Sequence, residues 1–225
     1  SGRMEESERA LSEALDAARA TGNDYGALTA LIFQGRVMAV RGQLLQASAV
    51  FEQAIQQGGQ IPINTLAYLD LSELHYEWNN LKQSEEHLQQ AVELCKRSRN
   101  DEFLIACQIV AARLHRAQGD LPGARQALEQ AQDRIRAGDI PAATADRVAV
   151  AQMYHALALN ELPTALSLAN RLTEHIDSHS FYRFLGLAKA RLLLAQNLNE
   201  SAASYLAELY ETASQRGWGY GLVAL

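Results

Sequence analysis

Five charged or aromatic side chains recur at nearly regular intervals along this 225-residue chain. They are Arg36, Glu73, Arg113, Tyr154 and Arg191, separated by steps of 37, 40, 41 and 37 positions. Guanidinium groups form paired hydrogen bonds with carboxylates and phosphates, and tyrosine rings pack against sugars and peptides. Tyr76 and Arg116 lie three positions after Glu73 and Arg113, one helical turn further along the same face. These residue types predict a binding surface if the chain folds into regularly repeated elements.

An internal repeat between positions 66 and 132 accounts for this spacing. The apolar residues of the first copy recur forty positions later in the second. They are Leu69, Leu74, Leu81, Leu88 and Ala91, then Ile109, Leu114, Leu121, Leu128 and Ala131. A short polar break interrupts each copy, at Asn79 and Asn80 and again at Gly119 and Asp120. Apolar residues at helical spacing on both sides of a polar turn predict a stacked array of helical hairpins.

The same pattern extends over the whole chain and predicts a single repeat array at positions 1–225. We expect a partial unit at about 4–22, and then complete units at 24–59, 64–100, 101–138, 142–177 and 180–216. A further helix is predicted to begin within 217–225. Both ends expose apolar residues where a solenoid normally carries a polar cap, so we expect the chain to be part of a longer protein.

Composition favours an all-α fold and argues against some partners. Helix-forming residues dominate, and only four prolines occur. A net charge of −6 argues against direct nucleic-acid binding by this segment, because that function requires clustered basic residues. No run of 18 apolar residues and no secretory leader is evident, so we expect a cytoplasmic protein without a membrane partner. Cys95 and Cys107 are expected to be reduced core residues.

The hairpins resemble the tetratricopeptide repeat. Each has a small residue where the two helices meet, at Gly35, Ser72 and Ala112. The period of 37 to 41 residues exceeds the usual one of about 34. Longer repeats of this kind are similar to the superhelical region of MalT-type activators, the large ATP-dependent regulators of the LuxR family. Residues 73–81, 84–94 and 116–121 carry that resemblance. It implies a right-handed superhelix of antiparallel hairpins.

The resemblance also implies a function. The segment would be a non-catalytic sensor or oligomerisation region of a bacterial transcriptional regulator, binding a small-molecule inducer or a regulatory protein or peptide. DNA binding would belong to a helix-turn-helix domain C-terminal to it, and ATP binding to a domain N-terminal to it. Two alternatives are a general scaffold that binds a peptide or protein, and a homo-oligomerisation module whose parent binds its ligand elsewhere.

In tetratricopeptide-like stacks the first helix of each hairpin lines the concave face, so the resemblance directs the recurrent residues into that groove. We call them the groove row: Arg36, Glu73, Tyr76, Arg113, Arg116, Tyr154 and Arg191. We expect Arg36, Glu73 and Arg113 to form a charge ladder across neighbouring repeats. The row has three interpretations: solvated or structural ion pairs that contribute little at an exposed surface, a recognition surface with arginine forks, or a contact with another copy of the chain.

We predict no catalytic residue, no cofactor and no metal site. No stretch matches GxxxxGK[ST], so a nucleotide phosphate loop is not expected in this segment. His175 and His179 have the i, i+4 spacing of metal-binding helices, but the glutamate of an HExxH motif and a third ligand are missing. A polar helix end explains this histidine pair better than a zinc site.

Overall fold

The chain forms an array of helices in a computed structural model that describes residues 2–172 and 179–219. Side chains are described for residues 4–172 and 185–219. Eleven helices lie within these ranges: α1 Gly2–Ala20, α2 Asp24–Val40, α3 Leu44–Gly58, α4 Asn64–Glu77, α5 Leu81–Ser98, α6 Asp101–Ala117, α7 Leu121–Ala137, α8 Ala142–Ala158, α9 Leu162–Ala169, α10 His179–Ala195 and α11 Asn199–Arg216. No strand occurs among the described residues. The predicted all-α hairpin fold is confirmed.

Short turns with a left-handed residue join the two helices of each hairpin. The backbone φ angle is positive at Gly42, Asn79, Gly119, Asn160 and Asn197. Glycine adopts this conformation without steric cost, and asparagine tolerates it better than most other residues. The chain therefore reverses within three residues, and the paired helices α2–α3, α4–α5, α6–α7, α8–α9 and α10–α11 pack antiparallel.

First and second helices of a hairpin occupy different layers. Helix α5 buries one stripe, at Ser84, Leu88, Ala91, Leu94 and Cys95, as expected of an outer helix with one apolar face. Helix α4 is buried over a much wider arc, because it packs against its hairpin partner and against the first helices on either side. Each first helix contacts the first helix of the next hairpin, in the order α2, α4, α6, α8 and α10. The first helices thus form the inner layer.

Close helix contacts depend on small residues. A Cβ atom added to Gly35 would lie 2.6 Å from Cε1 of Phe51, whose side chain is buried in the first core cluster. In the next hairpin Ser72 Oγ donates to the Ser84 carbonyl oxygen at 2.8 Å, and Ser84 Oγ donates to the Ser72 carbonyl oxygen at 2.7 Å. These reciprocal bonds satisfy two buried hydroxyl groups. At the α5–α6 boundary, the free thiols of Cys95 and Cys107 are buried with their sulfurs 3.7 Å apart.

The inner layer is strongly curved. Gly219, just after α11, packs against the Arg41 carbonyl group and the Gly42 amide in the α2–α3 turn. Trp218 beside it is buried, and the Arg216 guanidinium carbon lies 4.9 Å from its ring centroid. The described end of the array therefore returns to the turn of the first complete hairpin.

Three sequence expectations involve residues outside the described ranges. The last part of the unit predicted at 142–177 lies there, as does most of the predicted helix start at 217–225. The side chains of His175 and His179 also lie there. None of the described helices is both long enough and apolar enough to cross a membrane.

The Gly35 contact predicts a packing defect in Gly35→Ala. Alanine is the better helix former, but its methyl group would overlap the Phe51 ring, and overpacking a core typically costs about 1–3 kcal/mol. We expect a lower free energy of unfolding in urea denaturation. Phe51→Leu removes the atoms that clash, so Gly35→Ala should be much less harmful in that background. Additive losses in the double variant would contradict the packing account.

Candidate functional site

The groove row lies on the inner layer, with its members on α2, α4, α6, α8 and α10. In each first helix the residue just before the row position is buried in a helix contact. These buried residues are Gly35, Ser72, Ala112, Met153 and Ala190. Successive helical residues are rotated by about 100°. Burial of the residue before each row position therefore directs the row residue toward the concave surface.

Arg36 on α2 pairs with Asp70 on α4. Its Nε atom lies 2.6 Å from Asp70 Oδ2, and its Nη2 atom lies 3.3 Å from Asp70 Oδ1. The predicted partner was Glu73, which instead raises the pKa of Arg36 through the electrostatic field. Asp70 lies one helical turn nearer the start of α4, and it meets the guanidinium side-on, through Nε and Nη2, in a two-bond pair.

Burial has opposite effects on the two charges of this pair. It lowers the pKa of Arg36, but Asp70 and then Glu73 outweigh burial, and the net direction is upward. Burial is the largest influence on Asp70 and raises its pKa, Arg36 lowers it, and with Glu73 also raising it the net direction is upward. Arg147 on α8 also lowers the pKa of Asp70, although it lies two repeats away in the array.

Arg113 on α6 continues the ladder to α4 as predicted. Its guanidinium nitrogens lie 3.6 Å from Glu73 Oε1 and 3.0 Å from Glu77 Oε1. Its guanidinium carbon lies 4.5 Å from the Tyr76 ring centroid, within the range of a cation–π contact. The Arg113 side chain is only 13% exposed, so this cation is held by two carboxylates and an aromatic face within the fold.

Tyr154 on α8 joins the remaining members of the row. The guanidinium carbon of Arg116 lies 5.4 Å from its ring centroid, and that of Arg191 lies 5.2 Å from it. Arg116 is half-buried, and burial, Arg113 and Arg191 together lower its pKa, opposed by Tyr76 and Tyr154. Together with Asp70, the row therefore links every neighbouring pair of first helices from α2 to α10.

The groove has two electrostatically different halves. Helix α4 contributes three carboxylates on one face, from Asp70, Glu73 and Glu77, and these neutralise arginines from α2 and α6. The half formed by α6, α8 and α10 carries Arg116 and Arg191 around Tyr154. Of the three sequence interpretations, structural ion pairing describes the first half, and the second half has a surplus of positive charge.

Sequence reasoning missed Asp70, Glu77 and Arg147. Asp70 and Glu77 lie three residues before and four residues after Glu73, so the same-face rule that selected Tyr76 would also have found them. The count back from each turn selected one inward-pointing position in each repeat and therefore omitted them. Arg147 lies two helical turns before Tyr154, and no sequence pattern places it near α4, because that approach depends on curvature.

A surface cavity of about 330 Å³ lies away from the row. It is lined by Leu121, Pro122, Arg125, Gln126, Glu129 and Leu159, from α7 and the α8–α9 turn. No member of the groove row lines this cavity. Within the described part of the chain, no group of three or more metal-binding side chains could hold a metal ion.

Three histidines have unusually low pKa values. Burial is the main cause at His75, His87 and His155. The rings of His75 and His87 stack with centroids 5.1 Å apart, so a charge on His75 further lowers the pKa of His87. His155, next to Tyr154, is 7% exposed, and neither ring nitrogen has a hydrogen-bond partner. All three positions favour the neutral ring.

Comparisons with known proteins agree with this architecture. Residues 1–222 match a family described as the MalT-like TPR region. The crystal structure of BtubC (BKLC) from P. vanneervenii is similar to this chain, with a TM-score of 0.61, 14% identity and coverage of 91% of each chain. At that identity the likeness concerns the fold alone. No curated protein sequence matches the chain.

The Arg36–Asp70 pair predicts a measurable loss of stability in Asp70→Asn. The change leaves a half-buried guanidinium without its two-bond partner, and we expect a loss of about 1–3 kcal/mol in urea denaturation. Asp133→Asn is the matched control, because Asp133 pairs with Arg136 at 3.2 Å and both side chains are more than 70% exposed. The control should change stability by about 0.5 kcal/mol or less. Equal effects of the two variants would show that the groove pair is solvated.

The histidines predict weaker folding at acidic pH. A histidine whose folded pKa is lowered contributes stability that is complete above its unfolded pKa, near 6.5, and is lost as the pH falls below it. Each such histidine changes the free energy of unfolding by at most about 1.4 kcal/mol per pH unit. The free energy of unfolding should therefore fall between pH 7.5 and pH 5. His155→Leu should reduce this dependence, and an unchanged slope would contradict the assignment to His155.

Proposed function

This chain belongs to the MalT-like TPR region family, and from that premise we propose that it is the ligand- or partner-binding region of a cytoplasmic bacterial transcriptional regulator. Its role is binding without catalysis. The groove row carries this proposal, because it brings charged and aromatic side chains from five successive first helices onto one concave surface. DNA binding and nucleotide binding are functions of other parts of the regulator.

The composition of the row suits recognition. Arginine forks give direction and charge, and the Tyr76 and Tyr154 rings supply flat apolar area with few rotatable bonds. The ion pairs of Arg36 and Arg113 fix the first half of the groove before a ligand arrives. A surface that is already ordered loses less conformational entropy on binding.

Curvature favours a compact ligand over a long peptide. The charge of Arg147 on α8 acts on Asp70 of α4 and lowers its pKa. The packing of Gly219 on the α2–α3 turn limits how far the array can open. Ligand sites are typically concave and bury most of a small ligand, whereas a peptide scaffold needs an open channel.

A bound ligand would regulate the parent protein by selecting one curvature. A molecule that contacts side chains on α6, α8 and α10 can form all of these contacts in only one arrangement of the three helices. Binding shifts the population toward that arrangement, to an extent set by the difference in the ligand's affinity for that arrangement and for the others. The shape of the array, and the surfaces that it presents to neighbouring domains or copies, would then depend on the ligand.

Self-association is a second candidate, because apolar side chains are exposed on the last hairpin. Leu194 and Leu198 near the α10–α11 turn are 48% and 45% exposed, and Tyr210 on α11 is 52% exposed. None of these residues belongs to the groove row. Analytical ultracentrifugation of the chain and of Leu198→Ser would test this candidate separately from ligand binding.

A thermal-shift screen tests the binding proposal. Sugars, organic acids, nucleotides and phosphate esters would each be added to the purified chain. A compound at 100 times its dissociation constant should stabilise the fold by about 2.7 kcal/mol. We expect at least one class to raise the melting temperature, and Tyr154→Ala to reduce that shift because it removes the ring at the centre of the row.

Tyr210→Ala is the control for this screen. It removes a half-exposed tyrosine on α11, outside the groove, and should leave the ligand-induced shift unchanged. If no compound stabilises the chain while the intact regulator still responds to one of them, binding belongs to another part of the regulator. Equal loss of the shift in both variants would mean that the ligand does not bind in the groove.

A further inference from the structure

Arg116 and Arg191 are two arginines of the groove that meet no carboxylate in the described part of the chain. Within the described residues neither takes part in an ion pair, whereas Arg36 and Arg113 lie within 3.6 Å of acidic oxygens. Both guanidinium carbons lie within 5.4 Å of the Tyr154 ring centroid. Two cations are therefore held beside one aromatic ring in a chain whose net charge is −6.

The surroundings of Arg116 do not compensate its charge. The groups that act on it electrostatically are Tyr76, Arg113, Arg191 and Tyr154, and no carboxylate is among them. Burial removes water that would otherwise solvate the guanidinium, and the two neighbouring arginines repel it. This arrangement is unfavourable in the empty groove and becomes favourable when an anion joins it.

We propose that Arg116 and Arg191, with Tyr154 between them, form a binding site for a small anion that carries a phosphate or carboxylate group. This inference rests on the proposed binding role of the concave face and specifies its ligand class. Both guanidinium groups donate N–H bonds to the anionic oxygens, and the ring orients them by cation–π contact.

The other half of the groove selects against an extended acidic chain. Asp70, Glu73 and Glu77 place three carboxylates on the neighbouring face of α4. The three carboxylates outnumber Arg36 and Arg113, the two arginines that pair with them. A poly-anion that followed the groove from α10 to α4 would therefore meet a net negative charge, which disfavours it. A small ligand with its negative charge at one end avoids them, and hydroxyl groups at its other end can donate to these acceptors. The preferred ligand is thus a compact, hydroxyl-bearing anion.

Isothermal titration calorimetry with two probe anions tests the site. Glycerol 3-phosphate represents phosphates and glycerate represents carboxylates, and each is compared with glycerol in sodium chloride of matched ionic strength. We expect saturable binding of at least one anion and none of glycerol. Arg116→Gln and Arg191→Gln should each raise the dissociation constant of the anion about tenfold, which corresponds to the loss of one charge-assisted contact.

Arg136→Gln is the charge-matched control. It also removes one positive charge, but the Arg136 side chain lies on α7, is 72% exposed and pairs with Asp133. Its affinity for the probe should equal that of the unmodified chain. Arg116→Gln should not lower the melting temperature without ligand, because the arginine has no carboxylate partner to lose. This readout separates a binding role from a structural one.

Several results would overturn the anion site. They are the absence of binding beyond the chloride control, full affinity in the Arg116→Gln/Arg191→Gln double variant, or binding of a hexaglutamate peptide but of neither small anion. If a neutral compound binds, requires Tyr154 and ignores both arginines, the anion site is wrong and the sensor function stands. If compounds of every class fail in calorimetry and in the thermal-shift screen, the sensor function fails as well.

Discussion

The close approach of paired helices at one small residue per hairpin determines the geometry of the groove. Gly35, Ser72 and Ala112 leave no space for a larger side chain where the first helix meets its partner. Because that residue is buried, the helical rotation turns the following one toward the concave side. The packing constraint and the placement of the binding side chains are therefore the same feature. A chain that keeps these small buried residues can vary the side chains that follow them without altering the fold.

This separation of scaffold and surface explains what the sequence could and could not reveal. The recurrence of Leu69 and Leu88 at Ile109 and Leu128 identifies the repeat, because core residues must match in every copy to bury the same area. The five recurrent positions Arg36, Glu73, Arg113, Tyr154 and Arg191 could be located by register alone, since each follows a buried contact. The partners could not all be assigned in that way. Arg36 selects Asp70 over Glu73 because of side-chain length and local curvature, and neither follows from a periodic pattern.

The distribution of charge along the groove is uneven in a way that bears on function. Carboxylates concentrate on α4, where each is engaged by arginine from α2 or α6. Buried or half-buried ion pairs of this kind contribute less to stability than to the fixed placement of the groups that form them. Around Tyr154, Arg116 of α6 and Arg191 of α10 form no ion pair with a described residue. One half of the groove is thus paired within the fold, and the other half is where we propose that an external anion binds.

The contact of Gly219 with Arg41 and Gly42 constrains how such an array can change by gain or loss of repeats. An open solenoid tolerates an inserted or deleted hairpin, because each unit touches only its neighbours. Here the addition of one hairpin between α3 and α11 would carry Gly219 past the α2–α3 turn, and a deletion would leave it short. The number of hairpins is then tied to the width of the groove, so this chain is expected to diversify by exchange of side chains within a constant count of repeats.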